Sequence, residues 1–312
     1  MRALTLNEVP SAPVVAEAET PRPEAGELLV KVAVSSVNGF DLSVLGGHLQ
    51  GMMEHRFPLV AGMDFAGTVD ALGEGVEGYA VGDAVFGVAL KPYLGGGALA
   101  EYVTVNAGFG VAPIPEGLDV KDAGGLGLAG TAALNSLDAA GVTKDQTVLV
   151  SGATGGVGAI AVQIAAARGA KVIATARPGA EADFVTGLHD TDIAVVDFTG
   201  DLVAQVRALA PGGVDAVLHL AGDGTALAGL VRPGGHLAST VGLTQEAVEG
   251  IDITVHPIMA NPDPATLTTL ADQAATGTLT VPVTATYSLD EVDKAFAAFT
   301  NGTLGKITVT CS

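Results

Sequence analysis

Residues 148–158 read Val148-Leu149-Val150-Ser151-Gly152-Ala153-Thr154-Gly155-Gly156-Val157-Gly158, an apolar run that leads into a glycine-rich turn. The following residues predict a helix, because apolar side chains recur at the spacing of one buried helical face. These side chains are Val157, Ile160, Ala161, Ile164 and Ala165. Glycines between a strand and a helix let the backbone approach a pyrophosphate, whose charge the helix N-terminus stabilises. The segment therefore predicts a dinucleotide-binding turn.

The glycine pattern departs from the strict G-x-G-x-x-G form, because Ala153 stands at the first glycine position. A tight turn with a purely structural role is the alternative interpretation. A P-loop is excluded, since no Lys-Ser or Lys-Thr pair follows these glycines. The strand before the turn and the helix after it favour dinucleotide binding.

Strand-like and helical patterns alternate from this turn onward. The predicted strands are 147–151, 170–175, 193–196, 214–218, 235–239 and 251–255. This alternation is typical of βαβ units around a parallel sheet. We therefore predict an α/β chain in which residues 118–262 form a six-stranded, doubly wound Rossmann domain.

The N-terminal part of the chain has short alternating runs that are broken by glycine and proline. These runs predict strands at 28–34, 65–69, 83–87 and 100–105, and no helix. Residues 1–117 are therefore predicted to form a mostly β, barrel-like domain. The six strands of the parallel sheet are complete by Val255, so residues 263–312 are predicted to return to the first domain.

Composition limits the classes of partner. The 312 residues are 48% hydrophobic and 15% charged, which is typical of a folded chain with about two domains. The net charge of −20 repels phosphate backbones and anionic membranes, so we expect no nucleic-acid and no membrane partner. The N-terminus lacks the apolar core of a signal peptide, and a single cysteine, Cys311, excludes an intrachain disulfide. We expect a cytoplasmic protein.

The second strand of the predicted sheet ends Ala174-Thr175-Ala176-Arg177-Pro178. A site for NAD would place an acidic residue here, on the ribose 2′-hydroxyl. The sequence has Arg177 instead, and a cation favours the 2′-phosphate of NADP(H). The alternative is a solvated surface arginine in a loop.

Several further motifs occur in order along the chain. They are Val37-Asn38-Gly39-Phe40-Asp41, Ala61-Gly62-Met63-Asp64-Phe65-Ala66-Gly67, Gly82-Asp83-Ala84-Val85-Phe86-Gly87, Gly97-Ala98-Leu99-Ala100-Glu101-Tyr102, Leu128-Ala129-Gly130-Thr131-Ala132-Ala133-Leu134 and Gly305-Lys306-Ile307. With these motifs the chain resembles the zinc-independent quinone oxidoreductases of the medium-chain dehydrogenase/reductase superfamily, nearly from end to end. The resemblance implies a GroES-like catalytic domain, a Rossmann domain and NADPH as the cofactor.

The resemblance also implies roles for individual residues. Thr131, Gly155, Gly156 and Val157 would contact the cofactor, and Thr175 and Arg177 would face its 2′-phosphate. Phe198 would lie near the adenine, although it is equally compatible with a place in the core. The nicotinamide side would be formed by Ala221, Gly222, Val241 and Gly242.

The sequence departs from the zinc-dependent relatives, which use a Cys and a His-Glu pair in the first domain. Asn38 and Met63-Asp64 stand at the matching places, so no zinc of the family type is expected. An unrelated metal site is the alternative, because His48 and His55 lie near Asp41, Glu54 and Asp64 in the sequence.

Asn38 is the candidate for a hydrogen bond to the oxyanion that develops on the substrate. Its alternative role is that of a turn-forming residue ahead of Gly39. The resemblance implies reduction of quinones or activated enones by hydride transfer. An NADPH-dependent 2-enoyl thioester reductase and a non-catalytic NADPH-binding protein are the other hypotheses.

Assembly is suggested by the last predicted strand of the Rossmann domain. Residues 251–256 alternate apolar and polar side chains, and an open edge strand needs to be covered or paired. The resemblance implies that two copies pair such edges across a two-fold axis. A homodimer is therefore expected.

Overall fold

The computed structural model of the chain describes residues 1–311. Backbone contacts divide the chain into two units. Unit 1 contains Met1–Ala129, Pro262–Gly277 and the residues from Val283 onward, and unit 2 contains Gly130–Asn261 and Thr278–Pro282. Each unit has its own sheets and its own hydrophobic core.

The N-terminal part of unit 1 is mostly β. Its elements are β1 (Arg2–Leu6), β2 (Val14–Glu17), β3 (Glu27–Ser36), α1 (Gly39–Leu45), β4 (Glu54–Val60), β5 (Asp64–Leu72), β6 (Ala84–Val88), β7 (Tyr93–Gly96), β8 (Tyr102–Asn106) and β9 (Val111–Pro113). The predicted strands are present, but the short helix α1 was not predicted. It begins with a hydrogen bond from the Asn38 N–H to the Asp41 carboxylate, a local signal that hydrophobic periodicity does not contain.

Unit 2 contains a parallel sheet with helices between its strands. In chain order the elements are α2 (Val120–Ala139), which begins in unit 1, β10 (Thr147–Ser151), α3 (Gly156–Ala167), β11 (Lys171–Thr175), α4 (Ala180–Thr186), β12 (Ala194–Val196), α5 (Leu202–Leu209), β13 (Val214–His219), α6 (Gly224–Ala228), β14 (Val231–Ser239) and β15 (Ile253–Pro257). The strand order is β12-β11-β10-β13-β14-β15, and all pairs are parallel. The predicted six-stranded Rossmann sheet is confirmed.

The C-terminal segment adds α7 (Pro264–Ala275), β16 (Val283–Ser288), α8 (Val292–Thr300) and β17 (Lys306–Thr310). β17 lies between β16 and β3, so the last strand of the chain is an inner strand of the large sheet of unit 1. It runs antiparallel to β3, with Thr308 opposite Ser36. This pairing places the first residue of β17, Lys306, in the interior of unit 1, where it is 3% exposed.

The boundaries between the two units differ from the predicted domain boundaries, which lie at 117/118 and 262/263. α2 begins at Val120, in unit 1, and passes into unit 2 between residues 129 and 130. The Gln163 side chain pairs with Thr280, donating to its carbonyl oxygen at 2.9 Å and accepting from its N–H at 2.8 Å. These two bonds join residues 278–282 to unit 2.

The edge strand β15 is not open along its whole length. The side chain of Gln245 accepts the N–H of Val255 at 2.8 Å and donates to the carbonyl oxygen of Ile253 at 3.2 Å. A side-chain amide therefore satisfies the backbone groups that a further strand would use. At the end of the strand, Pro257 has no N–H to offer.

Within residues 1–311, no helix is both long enough and apolar enough to span a bilayer.

Candidate active site

The N-terminus of α3 follows the glycine turn and has no side-chain cap. Its N-cap residue, Gly155, makes no side-chain capping bond, so the first N–H groups of the helix have no acceptor within it. A Cβ at Gly155 would meet only the carbonyl oxygen of Gly152, at 3.6 Å. Gly155, Gly156 and Val157 therefore offer backbone N–H groups at the positive end of a helix dipole.

Two glycines make this turn tight. Gly152 has a φ of +80°, which favours glycine. A Cβ at Gly158 would lie 2.2 Å from the carbonyl oxygen of Gly152, so no other residue fits there without displacing the backbone. The predicted glycine turn is thus present, with Ala153 fully buried at the position that departs from the motif.

Thr175 holds the turn from the neighbouring strand. Its hydroxyl oxygen accepts the N–H of Gly152 at 2.9 Å, and the hydroxyl lies 3.4 Å from the carbonyl oxygen of Val150. Ser151 donates to the carbonyl oxygen of Ala221 at 2.6 Å. These bonds connect the carboxyl ends of β10, β11 and β13, and they engage the Thr175 hydroxyl within the chain.

Arg177 lies just past the end of β11 and is 61% exposed. Its guanidinium donates to Glu181 from Nε at 2.8 Å and from Nη2 at 2.5 Å, and its backbone N–H also donates to Glu181 at 2.8 Å. The Arg177 hydrogen bond lowers the pKa of Glu181. A 2′-phosphate would therefore compete with Glu181 for the guanidinium. Phe198 is 48% exposed, so it is not a core residue.

His219 organises the loops after β13 and β14. It is 4% exposed, with Nδ1 3.1 Å from the Ser239 hydroxyl and Nε2 3.2 Å from the carbonyl oxygen of Gly222. The Ser239 oxygen in turn accepts the N–H groups of Val241 and Leu243, at 3.3 and 3.1 Å. The sequence reasoning missed His219, although a polar residue at the end of a buried strand was a usable signal.

Thr131 is one of the residues predicted to contact the cofactor. It is fully buried, and its hydroxyl oxygen has no hydrogen-bond partner within the described chain. An unsatisfied buried hydroxyl is unfavourable, so such groups normally have a partner. Together with the uncapped α3 terminus and the exposed Arg177, this group fits a bound dinucleotide.

A second group of polar side chains lies in the interior of unit 1. We call it the Asn38 cluster, and it consists of Ser36, Asn38, Asp41, Asp64 and Lys306. Asn38 is 8% exposed, and its side-chain oxygen accepts from Lys306 at 2.7 Å. Its side-chain nitrogen donates to Asp64 at 3.0 Å and lies 3.4 Å from the Ser36 hydroxyl. Asn38 is therefore anchored at both ends of its amide.

Asp64 is the acid of the cluster with more hydrogen-bond donors. One oxygen accepts from the Asn38 amide, from the Ser36 hydroxyl at 2.5 Å and from Lys306 at 3.4 Å. The other accepts the N–H of Leu128 at 2.6 Å. Four donors, one of them an ammonium group, stabilise this carboxylate in the interior. Sequence reasoning did not pair Asp64 with Lys306, because 242 residues separate them.

Asp41 has a poorer environment. It is 1% exposed, one carboxyl oxygen accepts the N–H of Asn38 at 2.8 Å, and the other has no partner within the described chain. Burial raises the pKa of Asp41 to about 7, and the charge of Asp64 acts in the same direction. Asp41 therefore exchanges a proton close to neutral pH.

The Asn38 cluster does not fit zinc. The Asn38 amide is engaged by Lys306 and Asp64, and Met63 offers only a thioether. His55 places Nδ1 2.9 Å from the carbonyl oxygen of Met53, rather than beside Asp41 or Asp64. Within residues 1–311, no three His, Cys, Asp or Glu side chains lie close enough to hold a metal ion. The structure thus does not assemble His48 and His55 with these acids.

Two family descriptions match parts of the chain. Residues 24–116 match the Alcohol dehydrogenase GroES-like domain, and residues 181–309 match the Zinc-binding dehydrogenase family. Among solved structures, an alcohol dehydrogenase superfamily protein from Novosphingobium aromaticivorans is 30% identical with a TM-score of 0.88, covering 100% of both chains. A mycobacterial protein solved in complex with NADPH is 26% identical with a TM-score of 0.88, covering 99% of this chain and 100% of that one.

Curated relatives match over a shorter span. The chloroplast envelope quinone oxidoreductase homolog of Arabidopsis thaliana is 34% identical over 208 residues, 64% of this chain and 61% of the relative. A Mycocerosic acid synthase-like polyketide synthase of Mycobacterium tuberculosis is 37% identical over 213 residues, 67% of this chain and 10% of the relative. The chain thus spans less than two thirds of the length of these relatives.

The ionisation of Asp41 predicts a pH-dependent stability. A carboxyl group whose pKa rises from 3.8 to about 7 on folding contributes stability below pH 3.8, and this stability is lost as pH rises through 7. Asp41→Asn keeps an acceptor for the Asn38 N–H and cannot ionise. We expect the free energy of unfolding of Asp41→Asn, relative to that of the wild type, to increase by up to ~1.4 kcal/mol per pH unit between pH 4 and 7.

Urea unfolding of both proteins across this pH range measures the difference. Asp70→Asn, which removes an exposed carboxylate from the same unit, is the control and should show no such trend. A difference between Asp41→Asn and the wild type that does not change with pH would contradict the raised pKa.

Proposed function

Since the chain belongs to the medium-chain dehydrogenase/reductase superfamily, we propose that it reduces quinones or activated enones with NADPH and without zinc. The observation that carries the proposal is the Asn38 cluster, in which an amide held by Lys306 and Asp64 stands where a metal-dependent relative would need metal ligands. The quinone oxidoreductase homolog among the relatives supports the substrate class.

NADPH supplies the hydride when it is bound. The backbone N–H groups of Gly156 and Val157 would hold its pyrophosphate, and Arg177 would hold its 2′-phosphate in place of Glu181. Phe198 offers an exposed ring to the adenine. The loops that carry Ala221, Gly222, Val241 and Gly242, fixed by His219 and Ser239, would form the nicotinamide side.

Asn38 offers a hydrogen bond to the substrate oxygen. One hydrogen of its amide nitrogen is committed to Asp64 at 3.0 Å, whereas the other faces the Ser36 hydroxyl at 3.4 Å, a weak contact that a substrate oxygen can replace. The ammonium of Lys306 on the Asn38 oxygen polarises the amide and strengthens this donor. A charge that develops on the substrate oxygen is thereby stabilised without a metal.

The second candidate is an NADPH-dependent 2-enoyl thioester reductase. The similarity to a segment of a polyketide synthase favours it. Against it stands the scarcity of cations for coenzyme A phosphates, because the first hundred residues contain only Arg2, Arg22, Lys31, Arg56 and Lys91. A binding protein without turnover is the third candidate.

One assay separates the three candidates. We expect NADPH oxidation with an ortho-quinone or a simple enone, and little with an enoyl-CoA. Exhaustive chelation should leave the rate unchanged, because the cluster lacks zinc ligands. Preference for the enoyl-CoA would favour the second candidate, no oxidation with any acceptor would favour the third, and loss of activity on chelation would contradict the zinc-independent mechanism.

Arg177 sets the choice of cofactor. Charge-assisted hydrogen bonds to a phosphate correspond to about a tenfold to hundredfold gain in affinity. We expect NADPH to bind more tightly than NADH, and Arg177→Ala to remove most of this preference while NADH binding stays unchanged. Calorimetric titration with both nucleotides measures the effect.

Two variants sharpen this test. Glu181→Gln weakens the competing ion pair and should increase the NADPH preference. Lys171→Ala removes a charge from the opposite end of the same strand and should leave the preference unchanged. An Arg177→Ala protein that retains the full NADPH preference would contradict the assignment.

We further propose a cytoplasmic homodimer in which two copies pair along β15, so that backbone bonds replace the Gln245 contacts. Gln245→Ala then exposes the strand edge and should lower the dimer dissociation constant, because the side chain no longer competes. Glu249→Gln, an exposed change nearby, is the control. Light scattering at micromolar concentration measures the mass, and a monomer in both wild type and Gln245→Ala would contradict the proposal.

A further inference from the structure

Two buried carboxyl groups of the Asn38 cluster share one cation. Lys306 lies 3.4 Å from Asp64 and donates to Asn38, and Asp41 receives no bond from it. Asp64 has four donors, whereas Asp41 has one, the N–H of Asn38. A buried carboxylate needs a counter-charge or several donors, so the negative charge belongs on Asp64 and the proton on Asp41.

Asp41 also lines a cavity of about 30 Å³. A cavity of about 10–15 Å³ already holds a water molecule where polar partners exist. The unpartnered carboxyl oxygen of Asp41 is such a partner, and most of the remaining wall is apolar or glycine, including Leu59, Met63 and Leu94. The wall also includes the polar residues Lys91 and Tyr93, so the cavity has the volume and the polar groups that a water molecule beside Asp41 needs.

No free cation reaches Asp41 from the cavity wall. The other ionisable side chains there are Lys91 and Tyr93. The Lys91 ammonium is already paired with Glu27 and donates to Thr104 at 3.0 Å. The Tyr93 ring lies 3.6 Å beneath the Arg56 guanidinium. The Asn38 hydrogen bond and the more distant charge of Lys306 favour the charged form of Asp41, but burial outweighs them, so the pKa of Asp41 is raised.

We propose that neutral Asp41 is the proton reservoir of the reaction and delivers its proton through the cavity water to the oxygen of the reduced substrate. The inference rests on the proposed function. Hydride transfer leaves two electrons and a negative charge on the substrate, as a hydroquinone anion or an enolate. The water gives one proton to that oxygen and takes one from Asp41, and the Asp41 carboxylate regains a proton from solvent.

Protonation is tested first, without turnover. Difference infrared spectroscopy between pH 6 and pH 9 should show a carboxylic-acid band in the wild type that is lost at the higher pH. The band should be absent from Asp41→Asn and present in Asp122→Asn. Asp122 is the matched control, because burial also raises its pKa but it lies outside the cavity. A band that persists in Asp41→Asn, or no band in the wild type, would overturn the proposal.

Turnover is tested second, with an ortho-quinone. Wild-type kcat should fall as pH rises through about 7 and should show a solvent isotope effect. Asp41→Asn should lower kcat by about 100-fold, leave the NADPH dissociation constant unchanged and abolish this pH dependence. Asp122→Asn should behave as the wild type. Wild-type kcat and pH profile in Asp41→Asn would overturn the relay.

Two outcomes separate this inference from the proposed function. A wild type that oxidises no NADPH contradicts the proposed function, and the infrared result still decides whether Asp41 holds the proton. Where Asp41→Asn fails to fold, Asp41→Ala provides the test, since formate should restore its kcat and formamide should not. Absence of rescue in a folded Asp41→Ala protein would overturn the relay.

Discussion

The ammonium group of Lys306 lies in the interior of unit 1, and the arrangement around it depends on how that charge is satisfied. It donates to the Asn38 side chain at 2.7 Å and lies 3.4 Å from both Asp64 and the carbonyl oxygen of Val37. Removing one partner of a buried ion pair costs about 3–5 kcal/mol, because the other charge is left uncompensated. Pairing of β17 with β3 brings Lys306 to these partners. The C-terminal strand is therefore held in unit 1 by electrostatic as well as hydrophobic interactions.

The same bonds explain why a short helix begins at Gly39. Asn38 is fixed by Lys306 and Asp64, its N–H bonds to Asp41, and α1 follows directly. The cation among the described side chains of this cluster is the Lys306 ammonium. Lys306 lies against Asp64, which also has most of the donors, and the more deeply unsatisfied Asp41 has a pKa that burial raises.

In unit 2 the corresponding constraint is the tight approach of the α3 turn to its neighbours. Gly158 has room for no side chain, and the Thr175 hydroxyl fixes the N–H of Gly152. His219 and Ser239 fix the next two strand ends in a similar way. These side chains hold the loops in place and so shape a surface of backbone groups. Such a surface binds phosphates through its N–H groups.

The sequence by itself determined the parallel sheet, the glycine turn and the position of Arg177, because each is encoded by neighbours within about thirty residues. Periodicity and turn chemistry are local properties of the chain. Only the tertiary structure decided the pairing of Lys306 with Asp64 and of Gln163 with Thr280, because 242 and 117 residues separate these partners. It also decided that Asp41 is the acid with the raised pKa, because burial and the number of nearby donors depend on segments more than two hundred residues apart.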